Sequence, residues 1–195
     1  MKFRNSLALI GALAVALAVS ACGSPTPNSP TPSARAEAFN TADVMFAQMM
    51  IPHHAGAIEM AQVILDKSDI DPRVVDLAER IQAAQGPEID QLTAWLEESG
   101  YGDMGGMDGM DHGPSGGNID GMMSEEDMAD LEDAEGKPAT RLFLEQMIVH
   151  HEGAIDMAEV ELDNGSHDGT LNMAQSIVEA QQAEIAEMRD ILSTF

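Results

Sequence analysis

The chain has 195 residues and a formal net charge of −25, from 34 Asp and Glu against 9 Lys and Arg. So acidic a surface repels phosphate backbones and excludes nucleic acid as a partner. A single Cys excludes an intrachain disulfide framework and any multi-cysteine zinc or iron–sulfur site, and 4% aromatic residues leave sulfur and aliphatic carbon to fill the core. The presence of 15 Met and 6 His in such a chain calls for a chemical reason.

Lys2 and Arg4 precede an apolar run from Leu7 to Val19 that ends in Val19-Ser20-Ala21-Cys22. A short basic start, an apolar stretch and small residues before a cut describe a secretory signal, here residues 1–21. The run is too short to span a bilayer comfortably. The residues before Cys22 also resemble a bacterial lipobox, which implies cleavage before Cys22 and lipidation of its sulfur. The expectation is a protein held by Cys22 on the outer side of the cytoplasmic membrane. Residues 22–39, rich in Pro, Ser and Thr, read as a semi-extended tether.

Residues 40–195 carry an internal duplication. Phe46 to Asp66 aligns without gaps on Phe143 to Asp163 at an offset of 97, with 13 of 21 positions identical. A fainter match pairs Ala84-Gln85 with Ala180-Gln181 and Glu88-Ile89 with Glu184-Ile185. Each half predicts a helical hairpin, over 40–98 and 138–195. In the first helix Phe46, Met50, His53, Ala57, Met60 and Ile64 make one apolar stripe, and Ala47, Ile51, His54, Ile58, Ala61 and Leu65 run beside it. Asp66 to Asp69 ends this helix, and Asp71-Pro72 starts the next, which points Leu77, Ile81, Ala84, Glu88, Leu92 and Trp95 inward. Pro52 and Pro87 are expected to kink their helices or mark irregular turns. Asn164-Gly165 stops the third long helix, and the last runs from about Thr170 to Leu192. Two such hairpins predict an all-α four-helix bundle. The stretch 99–137 between them breaks all periodicity and is rich in Gly, Asp and Met, which predicts a loop.

Both members of each His pair, His53-His54 and His150-His151, fall on apolar faces. Interior imidazoles are costly unless hydrogen-bonded or ligating. In a hairpin turning near Asp69, His53 lies 16 residues before the turn and Gln85 lies 16 after, so they share a level. The reading is a mid-bundle polar layer of four His with Gln85, Gln181, Glu88 and Glu184, the way bundles build metal sites. Met50 and Met147 stand one turn before the pairs, where thioether and imidazole can share an ion. Met60 and Met157 lie farther along and either fill the core or serve a separate site. In the loop, Met104, Met107, Met110 and His112, followed by Met122-Met123, place soft ligands at short spacing. Thioethers select Cu(I), and imidazole extends the range to Cu(II).

The repeated core, HHAGAIEMA and HHEGAIDMA, resembles the bacterial family called domain of unknown function 305, from about residue 40 to the C-terminus. That resemblance implies a ferritin-like four-helix bundle and, for some members, extracytoplasmic copper binding. It carries a copper-ligand role onto Met50, His53, His54 and Met60, and onto Met147, His150, His151 and Met157. The expected function is an envelope protein, lipid-anchored through Cys22, that sequesters or buffers Cu(I) and Cu(II) by ligand exchange without catalytic turnover. Its exchange partner would be another copper-handling protein of the envelope. Two other readings stay open: a di-metal oxidase or peroxide-consuming enzyme in the same bundle, and a metal-free interaction module. Against the enzyme, the chain lacks paired Glu-x-x-His motifs, and Gln85-x-x-Glu88 and Gln181-x-x-Glu184 are distant echoes of them.

Overall fold

The computed structural model describes residues 38–101 and 121–195. Within them the chain forms five helices and no strand: α1 Thr41–Leu65, α2 Pro72–Glu98, α3 Glu125–Asp133, α4 Gly136–Asn164 and α5 Asp168–Leu192. The all-α class is as expected. The lipidation residue Cys22 and the loop residues Met104, Met107, Met110 and His112 lie outside the described residues.

Local sequence accounts for the helix boundaries. Asn40 caps α1 by accepting from the Ala42 and Asp43 amides at 2.7 and 3.1 Å, while Asp43 accepts from the Asn40 amide at 2.6 Å. This is a capping box. Asp71 accepts from the Arg73 amide at 2.9 Å, and Pro72 takes the first helical position of α2, where its missing N–H costs nothing. Pro52 and Pro87 both sit inside helices that continue through them.

Helix α1 packs mainly on α2 and α4 mainly on α5, and the α1–α4 contact joins the two hairpins. The first stripe of α1 is buried throughout, from Phe46 to Ile64. Burying each of its large apolar side chains contributes about 1.5–3 kcal/mol. On α2 the observed face departs from the expected one at Ala84 and Trp95. Leu77, Ile81, Gln85 and Leu92 are buried, whereas Ala84 is exposed and Trp95 only half-buried. Gln85 takes the inward place because the residues after it must still bring Leu92 onto the core.

The apolar core falls into two clusters, one on each side of the histidines along both α1 and α4. One contains Met60, Ile64, Phe143, Leu144 and Met147, and the other contains Phe46, Met50, Leu92, Ala154, Met157 and Ile177. Helices α1 and α4 therefore run antiparallel, with the start of each beside the end of the other.

The segment 99–137, expected to be a loop, contains α3 and ends in the first turn of α4. Ser124 and Asp127 form a second capping box, with the Ser124 hydroxyl accepting from the Asp127 amide at 3.1 Å and the Asp127 carboxylate accepting from the Ser124 amide at 3.0 Å. This short helix lies against the end of α1 and the start of α4. Leu131 is its fully buried anchor, with Met123 and Met128 packed beside it. Gln146 donates to the Asp127 carbonyl at 2.8 Å and Lys67 to the Glu132 carbonyl at 2.7 Å.

The α4–α5 turn is fastened to the start of α1 by Asp43. Its buried carboxylate accepts from the Ser166 and His167 amides, both at 3.0 Å, and from the Thr170 hydroxyl at 2.8 Å. Burial alone would push this carboxyl up. The hydrogen bonds from Asn40, His167, Ser166 and Thr170 outweigh burial and hold it well below the usual carboxylate range.

Candidate metal centre

Four imidazoles lie in the interior between the two core clusters. His53, His54 and His151 are 0% exposed and His150 1%. Each adjacent pair is on one helix, and the antiparallel approach of α1 and α4 sets His53 against His150, ring centroids 3.8 Å apart at 40°. The second helix of each hairpin supplies a carboxylate: His54 Nε2 meets Glu88 Oε2 at 2.8 Å, and His151 Nε2 meets Glu184 Oε2 at 2.7 Å. Gln85 and Gln181, both buried, complete the layer. The duplication thus yields two matched carboxylate–imidazole pairs.

A carboxylate on one ring nitrogen orients an imidazole and raises the basicity of the other nitrogen. That other nitrogen, Nδ1, is buried and lacks a hydrogen-bond partner in both His54 and His151. Both ring nitrogens of His150 are likewise buried without a well-formed hydrogen bond. Unpartnered ring nitrogens in the interior carry a desolvation cost that a bound cation removes. Burial first, and then the neighbouring imidazoles of His53, His151 and His54, hold His150 well below the usual imidazole range, against a small opposing effect of the His53 carbonyl. This shift favours the neutral imidazole, the form that ligates.

The helical thioethers pair across the halves. Met50, one turn before His53, shares its cluster with Met157, and Met147, one turn before His150, shares its cluster with Met60. The sequence set Met60 and Met157 apart from the pairs because it followed each helix alone. Only the antiparallel contact places Met157 on the Met50 side and Met60 on the Met147 side. Among the described residues no three His, Cys, Asp or Glu side chains converge as a ligand set.

Met122 was legible as one of the soft ligands following the loop, but not its position. A Cβ on Gly56 would lie 3.4 Å from His150 Nε2 and 3.9 Å from the Met122 sulfur, so imidazole and thioether line the same notch. Gly121, at φ +86°, fits against Gly153, where a Cβ would meet the Gly153 Cα and the Val149 carbonyl at 2.9 Å. Gly56 and Gly153 are one identical position of the repeat. In one half that position admits a ring and a sulfur, and in the other it admits backbone.

A second buried acid stands apart from this layer. Glu161 is 1% exposed, and neither of its oxygens has a well-formed hydrogen bond. Burial pushes its carboxyl up to about 7; the Thr170 hydroxyl opposes the shift and the neighbouring Asp43 adds to it. The mismatch of Glu161 with Ile64 inside the repeat was the sequence signal for it.

Fold and site together define a duplicated, all-α protein whose interior holds a carboxylate-braced histidine layer flanked by thioethers. The chain belongs to the family described as Domain of unknown function (DUF305), whose sequence profile matches residues 43–192. A DUF305 fragment from Deinococcus radiodurans is 32% identical with a TM-score of 0.70, over 81% of this chain and 99% of that one. A DUF305 protein from Streptomyces coelicolor, predicted to be secreted, is 28% identical with a TM-score of 0.68, over 78% and 91%. CopM in its Cu(II)-bound form is 29% identical with a TM-score of 0.66, over 78% and 96%. The chain is similar also to CopM in Cu(I)-bound and Ag-bound forms. These neighbours are described by family or by bound metal, not as enzymes. No curated protein sequence matches the chain. No helix among the described residues is long and apolar enough to cross a membrane.

Proposed function

We propose that this protein binds and buffers copper outside the cytoplasmic membrane, held there by lipid on Cys22. The observation that carries the reading is the braced layer: His54 on Glu88 and His151 on Glu184, each with an orphaned Nδ1 in the interior and buried thioethers one turn away. The likeness to CopM in Cu(I)- and Cu(II)-bound forms supports copper as the ion.

Copper is cargo in this reading, and the protein's own groups do the selecting. Glu88 and Glu184 hold the ring tautomers and donate electron density through the imidazoles. Neutral His150 supplies nitrogen without first losing a proton. Met50, Met157, Met60 and Met147 supply sulfur, which favours Cu(I) over hard cations, while the imidazoles serve Cu(II). Met104, Met107, Met110 and His112 form a second soft set in the segment before α3. The protein needs no turnover to sequester or pass on copper. The di-metal oxidase reading is the weaker one, because the chain lacks the paired Glu-x-x-His motifs of such centres.

The test is an anaerobic Cu(I) titration of the protein against a chromogenic competitor. It is run beside a variant with His53, His54, His150 and His151 changed to Ala, whose helicity is checked by circular dichroism. Tight binding that weakens in the folded variant supports the layer. Binding unchanged in the variant moves the site to the methionines before α3, and no competitive binding in either protein overturns the copper reading.

A further inference from the structure

The two ends of the α1–α4 contact are built from equivalent residues of the duplication, and only one end has a helix over it among the described residues. At the covered end Leu131 of α3 is fully buried in one cluster with Met60, Ile64 and Phe143, and Val63 and Leu142 pack against that cluster. At the open end the positions equivalent to Met60, Val63, Phe143 and Leu142 are Met157, Val160, Phe46 and Met45. These four line an apolar groove of about 310 Å³.

The pairwise comparison shows what the missing cover would bury. Val63 and Leu142 are partly buried, whereas Val160 and Met45 are 58% and 51% exposed. Single exposed apolar residues are ordinary, but two of them on one apolar groove form a patch that marks an interaction surface. The polar fastenings of α3 are also gone from the open end. Gln146 and Lys67, which donate to the Asp127 and Glu132 carbonyls, correspond to Met49 and Asn164.

Charge says what kind of cover fits. Helix α3 carries six acids and no base, and basic Lys67, Lys137 and Arg141 belong to the helix ends it covers. The positions equivalent to these three are Asn164, Asn40 and Val44, all uncharged. No Lys or Arg occurs in residues 38–66 or 142–188, and Asp156, Glu159 and Asp163 are exposed on α4 at the open end. An acidic helix like α3 is repelled there. So is a second copy of a chain with net charge −25, and the segment 102–120 carries Asp and no Lys or Arg. A basic cover meets opposite charge instead.

We propose that this open groove is a docking site for a basic amphipathic helix of a partner protein. Its apolar side chains would seat on Met45 and Val160, and its Lys or Arg would face Asp156, Glu159 and Asp163, the helix-in-groove mode of recognition. Docking there needs no metal and leaves the histidine layer undisturbed.

The experiment uses the full chain and a fluorescent peptide of sequence 122–134 bearing Glu125→Lys, Glu126→Lys, Asp130→Lys, Glu132→Lys and Asp133→Lys. Met128 and Leu131 remain as its apolar anchors. Fluorescence anisotropy should show saturable binding that weakens as salt is raised, and the unsubstituted acidic peptide should bind at least about tenfold more weakly. Met45→Ser/Val160→Ser keeps the protein's charge and alters only exposed side chains, and it should weaken the basic peptide about tenfold. Equal binding to that variant would reduce the effect to general attraction by an acidic surface and overturn the site. No binding, or equal binding of the acidic peptide, would overturn it too. A dimer in analytical ultracentrifugation that the Ser variant abolishes would assign the groove to a second copy and overturn the basic partner.

Discussion

The two grooves between α1 and α4 began as copies of one another and have become different objects. One is closed by α3, with Leu131 in the core and Gln146 bonded to the α3 backbone. The other is open and exchanges Leu142, Gln146 and Ile64 for Met45, Met49 and Glu161. The histidine layer between them did not diverge: each half keeps its imidazole pair and its carboxylate brace. Duplication here preserved the centre, where both copies face each other and constrain one another. It released the flanks, where only one copy has a cover among the described residues.

The contrast can be broken most strongly at the cover. Leu131→Ala should cost about 3 kcal/mol, the usual effect of truncating a fully buried leucine, read as a lower midpoint in urea unfolding. A loss below half that value would mean that α3 does not close its groove.

Next is the acid of the open groove. The folded-state pKa of Glu161 lies near 7 against an ordinary 4.5, so between these values the native state holds a proton that the unfolded chain has lost. Stability from this group is fully present below about pH 4.5 and is lost as pH rises through about 7. Relative to Glu161→Gln, the native protein should lose about 3 kcal/mol across that window. His150 acts in the opposite sense, since its depressed value makes stability fall as pH drops below the usual imidazole range. The difference curve against the Gln variant isolates Glu161, and a flat difference would remove the buried-acid assignment.

The braces sharpen the comparison at the layer. Glu88→Gln and Glu184→Gln should each weaken copper binding about tenfold, with similar effects in the two halves. A large effect from one and none from the other would show that the layer too is asymmetric. The smallest stability effect belongs to the cap of α3: Ser124→Ala should cost about 1 kcal/mol, measured by chemical denaturation.

Much of this architecture was legible in the chain itself. The four long helices follow from apolar stripes and from start and stop signals such as Asp71-Pro72 and Asn164-Gly165, because helical periodicity and capping are local properties. The polar layer followed from counting residues on each side of a turn, since a hairpin sets the level of one helix against the next. Ala84, expected inward, is exposed, whereas Gln85 lies in the layer where the turn count placed it, because the phase of a helix face depends on its neighbours as well as its own pattern. Met50, Met147 and the His pairs were identified from their stripe, whereas their partnership with Met157 and Met60 across the halves was not.

The sequence by itself determined the four long helices, that they come in duplicate, and that imidazoles and carboxylates share a level. These follow from spacing along one chain and from the rise of a helix. Only the tertiary structure decided that α1 and α4 run antiparallel, that α3 closes one groove, and that Glu161 and three thioethers line the other. Such facts depend on which surfaces meet, and the free energy of that meeting belongs to pairs of helices rather than to any segment alone.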